Sequence, residues 1–432
     1  MRTVSLDVLE RELSRLTVGS RVVVGGNFAS PMAAVGALDR ALEEYRLFAL
    51  NAQPGLPTRA GVVHETSFVG PGMRSSPSLR YVPARLSLVP ALFRTALGVD
   101  AVVVQCAPPR GGLLSLGTEV NVLPAAIEEA RRRGGIVVAQ INEQMPYTYG
   151  DSQVDVADVD LAVEISEPLR SPGQRVVDDV SSAVGQGVAG LVPDGATLQL
   201  GIGAVPDAVL DALHDRRGLR IWSEMISDGV LALDDAGALD RDVEIVSSFV
   251  FGSPALYTWL HENPRVRMLR TERTNDPGLI ARNPQMTSIN TALEVDLFGQ
   301  VNASRLNNRI YSGTGGQTDF IVGALHSPGG HAVIALRSWH PRADVSTIVA
   351  MLDEPVTSLQ PSTVVTEQGR AVLWGRTAQE QAGALIENAA HPRVREELRE
   401  EAGYLGLAMS GPEPAERRPD TTRTPDTLEA SA

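Results

Sequence analysis

Glu224 closes the short apolar run Leu219-Arg220-Ile221-Trp222 and opens the polar turn Ser223-Glu224-Met225-Ile226-Ser227-Asp228-Gly229. An acid at the end of a parallel strand stands where open α/β sheets gather their chemistry, outside the carboxyl ends of the strands. Upstream, Leu198 through Pro206 reads as a second strand that runs into the turn Gly201-Ile202-Gly203 and then a helix. One strand end offers backbone N–H groups and the other a carboxylate. A second glycine loop, Tyr311 through Phe320, carries Gly313, Gly315 and Gly316. Glycines so spaced let a backbone approach a ligand closely and aim several N–H groups at an oxyanion or a phosphate. A tight bend between elements is the plain alternative for either turn.

The first turn has the opening two glycines of a dinucleotide fingerprint, and Glu224 lies near the spacing of a ribose-binding acid. Against that reading, the third glycine position is Pro206, which suits the first turn of a helix. A ribose ligand also has no need of the surrounding Ser223, Ser227, Asp228 and Gly229. No lysine occurs in the chain, which removes Schiff-base chemistry and any P-loop. Cys106 ends an apolar run with no histidine near it in sequence and reads as a small buried hydrophobe. The histidines form no H-E-x-x-H or C-x-x-C unit, so no metal is expected, and no G-x-S-x-G elbow is present. Arg337, just after the run Ala332 to Leu336, suits a phosphate or plain solvent equally.

The elements that must hold these residues follow an α/β rhythm. Arg21 to Gly26, Val102 to Cys106 and Ile136 to Gln140 read as strands, with Ser30 to Glu44 and Pro124 to Arg133 as helices. Pro, Ser, Gly and Arg between Pro168 and Arg175 read as a linker, after which a second cycle begins with a helix from Val176 to Leu191. Strands are expected at Val243 to Val246, Ala332 to Leu336 and Thr363 to Thr366, with closing helices at Ala378 to Ala390 and Val394 to Tyr404. The expected division is 1–175, 176–410 and a disordered tail 411–432 rich in Pro, Thr, Glu and Asp.

A chain of 432 residues with 43% hydrophobic content fits two globular α/β domains. The formal charge of −14 argues against a nucleic-acid partner, whose phosphates demand clustered cations. A single cysteine fits a reducing cytoplasm. No signal peptide precedes the amphipathic segment that runs to Leu16, and no apolar run approaches bilayer length, so no membrane association is expected.

The ordered motifs resemble the acetyl-CoA hydrolase and CoA-transferase family, on the branch of the 4-hydroxybutyrate and succinyl-CoA:acetate CoA-transferases. The resemblance covers residues 1 to about 410. It rests on Ser115-Leu116-Gly117, Asn142 to Pro146 with Gly150, Gly201-Ile202-Gly203, Ser223-Glu224-Met225 with Ser227-Asp228-Gly229, and Thr274 to Pro277. It continues through Ile289 to Leu297, Ser312 to Phe320 and Val364 to Gly369. It implies two related open α/β domains with mostly parallel sheets flanked by helices, the nucleophile on the second and the acyl group in the cleft between them.

What the resemblance implies for Glu224 is nucleophilic attack on an acyl-CoA thioester, through an acyl-glutamyl anhydride and a glutamyl-CoA thioester, with ping-pong kinetics. It implies oxyanion donors at Ile202-Gly203 and Gly316, carbonyl positioning by Asn275 and support of the nucleophile by Glu367. Facing carboxylates would raise one another's pKa. For coenzyme A, a substrate rather than a bound cofactor, it points to Gly201, Ile202, Gly203, Ala204, Val205, Leu293, Ser312, Gly316 and Arg337. The expected partners are an acyl-CoA, a small carboxylate acceptor and a second copy of the chain in a homodimer. An acyl-CoA hydrolase on the same scaffold, in which water resolves the intermediate, and a catalytically silent CoA-binding protein are the alternatives. The chain departs from the family where an Ala-Asp-Leu-Arg-Gly run becomes Ala371-Val372-Leu373-Trp374-Gly375, and where a Ser-Arg-Ile-Val pattern becomes Ser346-Thr347-Ile348-Val349. The first change is expected to remove a salt bridge or reshape the domain interface.

Overall fold

The computed structural model describes residues 1–173 and 177–408. The expected tail 411–432, the end of the linker at Gln174-Arg175 and the helix start at Val176 lie outside the described residues.

The first half of the chain builds a parallel sheet in the order Arg2–Thr3, Leu161–Ile165, Ile136–Asn142, Ala101–Arg110, Arg21–Val24, Tyr45–Phe48, Val62–Thr66, Leu79–Tyr81. Antiparallel additions at Leu113–Ser115 and Gln153–Asp155 extend it. The apolar runs read as strands are the central ones, because a parallel strand covered on both faces has no polar side to show. Val22 and Val24 join one apolar cluster while Val23 joins another, as the two-residue period of a strand dictates.

The second half forms a smaller sheet in the order Arg220–Ile221, Thr197–Gln199, Thr287–Asn290, His331–Ala335, Thr363–Thr366, Gly369–Val372, parallel except for its last hairpin. Its helices are capped by local chemistry. Asp178 accepts from Ser181 N ahead of the helix Asp179–Ala189, and Thr377 with Glu380 forms a capping box on Ala378–Asn388.

The two halves interlock. Tyr149–Gly150 pairs with Val266–Met268, which pairs with Ile245–Ser247, so a first-half segment completes a three-stranded sheet of the second. A single apolar cluster takes in both Val102 and Leu198. The stretch read as a linker is pinned on both sides, since Arg170 Nη1 donates to Pro54 O and Arg170 O accepts from the Tyr257 hydroxyl. Val372, the last residue of the edge strand Gly369–Val372, and Trp374, two residues beyond it, are exposed. Thr347, at the other departure, donates to Arg337 O and accepts at its own carbonyl from Val295 N. Among the described residues, no helix is long and apolar enough to cross a membrane.

Candidate active site

Glu224 sits between the two-residue strands Arg220–Ile221 and Met225–Ile226, and its neighbour Ser223 explains why the chain turns there. The Ser223 hydroxyl accepts from Leu200 N at 3.1 Å and from Met225 N at 3.4 Å, tying the turn to the strand end before Gly201. The Glu224 carbonyl accepts from Ser248 N at 2.9 Å and Phe249 N at 3.0 Å. With its backbone held on both sides, the carboxylate reaches a cavity of about 690 Å³.

Asn275 Nδ2 donates to Glu224 Oε2 at 2.7 Å. The amide is itself oriented, because its Oδ1 accepts from the Thr274 hydroxyl at 2.9 Å. Thr274 is anchored in turn where its carbonyl accepts from Trp222 Nε1 at 3.0 Å. The third partner is Gly316, at the N-terminus of the helix Gln317–His326. A Cβ on Gly316 would overlap both the Glu224 carboxylate and the Asn275 amide. Its φ of −95° is open to any residue, so contact and not conformation requires the glycine. The first N–H groups of that helix have no intrahelical acceptors, which makes this end receptive to negative charge.

Burial pushes the Glu224 carboxyl up to about 7; the Asn275 hydrogen bond opposes the shift and the charge of Asp319 adds to it. Asp319, also raised, to about 6, by its own burial, accepts from Ser87 N at 3.4 Å and faces Arg85. The carboxylate that acts on Glu224 is therefore Asp319. Glu367 is occupied elsewhere, accepting from Ser338 N at 2.9 Å and from the Ser338 hydroxyl. Burial opposes ionisation of Glu367, but these hydrogen bonds prevail and hold its carboxyl below the usual range.

The glycine loop is docked on the first half of the chain. Ser312 O accepts from Val69 N at 2.7 Å, Gly315 O accepts from Leu86 N at 3.0 Å, and Tyr311 O accepts from Arg74 Nε at 2.8 Å. Gly315, at φ +58°, lies against the Phe68 ring. Gly201, Ile202, Leu293, Ser312 and Gly316 line the cavity with Glu224, whereas Gly203, Ala204, Val205 and Arg337 do not. Gly203 has φ +135° and caps the helix Ala204–Asp211. Arg337 pairs with Asp178 at 2.7 Å, so its charge is already engaged. Arg74, from the first half, is the arginine that lines the cavity among the described residues, its guanidinium 3.8 Å from the Tyr311 ring centroid. Cys106 is buried, with its thiol pushed up to about 12 by that burial.

Sequence reasoning missed the first-half wall of the cavity. Asn27, Asn51 and Asn121 line it, and behind them the buried Glu119 accepts from Asn27 and Asn121. The signal available was the acid Glu119 beside Val120 and Val122, two residues past Ser115-Leu116-Gly117.

Residues 252–402 match the acetyl-CoA hydrolase/transferase C-terminal domain. The chain is 38% identical to the 4-hydroxybutyrate coenzyme A transferase of Clostridium kluyveri, over 91% of this chain and 96% of that one. It is 35% identical to the succinyl-CoA:acetate/propanoyl-CoA:succinate CoA transferase of Fasciola hepatica, over 89% and 84% respectively. The crystal structure of 4-hydroxybutyrate CoA-transferase from Porphyromonas gingivalis superposes with a TM-score of 0.79 at 33% identity, covering 94% of this chain and 98% of that chain.

Proposed function

The chain belongs to the acetyl-CoA hydrolase/CoA-transferase family, whose named relatives are CoA-transferases and acetyl-CoA hydrolases, and from that premise we propose that it moves coenzyme A between small carboxylic acids through Glu224. The observation that carries this reading is a carboxylate open to a large cavity, held by an oriented amide and apposed to a glycine at a helix N-terminus.

Glu224 attacks the thioester carbonyl, the C–S bond breaks, and CoA leaves as the thiolate, giving an acyl-glutamyl anhydride. The thiolate then attacks the glutamyl carbonyl of the anhydride, releasing the donor acid as its carboxylate and leaving a glutamyl-CoA thioester. An acceptor carboxylate attacks that thioester and the same steps run in reverse, restoring free Glu224. A carboxylate nucleophile is required because an anhydride links acid and thioester without an external energy source. Negative charge on each tetrahedral carbon's oxygen needs donors already in place. Gly316 at the helix start, the backbone at Ile202-Gly203 and Asn275 Nδ2 are assigned that role.

Asn275 positions the Glu224 oxygen that attacks. Glu367, bonded to Ser338, is assigned a supporting role in that wall and no contact with the reacting atoms. Gly201, Ile202, Leu293 and Ser312 are assigned to the CoA path. Gly203, Ala204 and Val205 contribute the turn and helix start behind it. Arg337 would meet a phosphate only on leaving Asp178.

The test is steady-state kinetics with varied acyl-CoA at several fixed acceptor concentrations. Transfer predicts parallel double-reciprocal lines and a rate that vanishes without acceptor. CoA release at the full rate without acceptor would instead identify a hydrolase, with water resolving the intermediate.

A further inference from the structure

The first-half wall of the cavity contains a polar cluster that the transfer chemistry does not use. Glu119 is 1% exposed, and its two oxygens accept from Asn27 Nδ2 at 2.6 Å and Asn121 Nδ2 at 2.7 Å. Asn27 Oδ1 accepts from Asn51 Nδ2 at 2.7 Å, and Asn121 Oδ1 accepts from Val122 N. Each amide thus donates its nitrogen to Glu119 while its carbonyl oxygen accepts from Asn51 Nδ2 or Val122 N, which fixes its orientation.

That orientation leaves specific groups over. The carbonyl oxygens of Asn27 and Asn121 are engaged, while Asn27, Asn51 and Asn121 each keep a second N–H hydrogen and all three line the cavity with Glu224. Asn27 and Asn51 are held at φ 45° and 44°, a left-handed conformation that most side chains avoid. The cluster is also tied to the nucleophile: Asn121 N donates to Ser248 O, and Ser248 N donates to Glu224 O.

Resting on the transfer reading above, we propose that Glu119 is a positioning residue that orders Asn27, Asn51 and Asn121 into an acyl-recognition subsite. It selects a short acyl chain bearing a neutral oxygen, as a hydroxyl or carbonyl, over a plain alkyl chain. A neutral oxygen accepts from the spare N–H groups, and an alkyl chain covers them without pairing them. A second carboxylate on the chain would bring its charge toward Glu119, which lies behind the asparagines, and Arg74, the arginine of the cavity wall among the described residues, keeps its Nε on Tyr311 O and its guanidinium against the Tyr311 ring.

The experiment compares acceptors matched in size: 3-hydroxypropanoate against butanoate, and 4-hydroxybutanoate against pentanoate, with succinate as the charged arm. The ratio of kcat/KM should favour the hydroxy acid about tenfold or more in at least one pair, and succinate should be a poorer acceptor than that hydroxy acid. Asn51→Gly removes the amide while tolerating the positive φ, and Glu119→Gln sets an amide nitrogen against the donors it now orients. Both should bring the ratio toward one. A merely structural cluster would leave the ratio unmoved. Transfer to acids with no preference in the wild type, or a ratio unchanged in both variants, would overturn the inference alone. A preference for succinate over both hydroxy acids would overturn the neutral oxygen. CoA transfer to none of the acids would overturn the transfer reading and this inference with it.

Discussion

Asn275 Nδ2 lies 2.7 Å from Glu224 Oε2, although the two residues come from different elements 51 positions apart. The Thr274 hydroxyl on Asn275 Oδ1 prevents the amide from turning over, so the donor always faces the carboxylate. Asn275→Ala should lower kcat by about 10²-fold, the usual cost of one preorganised donor. Asn275→Asp should cost more near neutral pH, because it sets a second acid against the first. Steady-state kinetics of both variants, alongside circular dichroism to confirm the fold, checks the order.

Gly316 makes a contact that only a missing side chain permits. Its backbone angles accept alanine, so Gly316→Ala should fold, yet the added methyl would enter the space of the Glu224 carboxylate and the Asn275 amide. Transfer should fall by about 10²-fold or more, as expected when a reacting group is displaced by an ångström. The melting temperature should move little in comparison.

The rate should depend on pH through Glu224. Burial first of all pushes its carboxyl up to about 7, so the carboxylate proposed to attack is scarce below that value. The kcat/KM for acyl-CoA should rise roughly tenfold per pH unit below the midpoint and level off above it. Asp319→Asn should move the midpoint down, because it removes a negative charge that raises Glu224. A pH–rate profile of each protein measures the displacement.

The same shift has a consequence for stability. Folding raises the Glu224 carboxyl from 4.5 to about 7, so the folded chain holds the proton more tightly than the unfolded one. Stability from this group is therefore fully present below about 4.5, is lost as pH rises to about 7, and stays lost above. Glu224→Gln should stabilise the protein by about 1–3 kcal/mol at pH 8 and have little effect at acid pH. Urea unfolding at the two pH values reads the difference.

The elements legible in the sequence were those whose composition is dictated by burial on both faces. Thr363–Thr366 emerged to the residue, and Ile136–Asn142 and Leu123–Arg133 within two residues of their bounds. The strands Tyr45–Phe48 and Val62–Thr66 were missed because Arg46, His64 and Glu65 break their apolar runs, and a buried Arg21–Glu65 pair at 2.6 Å satisfies that charge only across strands. The residues of the candidate site on one stretch of chain, Ser223-Glu224-Met225 and Ser312 to Phe320, could be picked out by their own chemistry. Arg337 could not be judged that way, because the partner that engages it, Asp178, is 159 residues distant. The Asn27–Glu119 contact spans 92 residues and leaves no local trace beyond one acid beside Val120 and Val122.

In the proposed reaction Glu224 carries the group being transferred. Incubating the protein with an acyl-CoA, trapping with borohydride or hydroxylamine, and mapping the modified peptide by mass spectrometry tests it without reference to the acceptor. Modification is expected at Glu224 and absent in Glu224→Gln, which should also fail to transfer CoA. A label on Cys106 or on no residue, or full transfer by Glu224→Gln, would contradict that role.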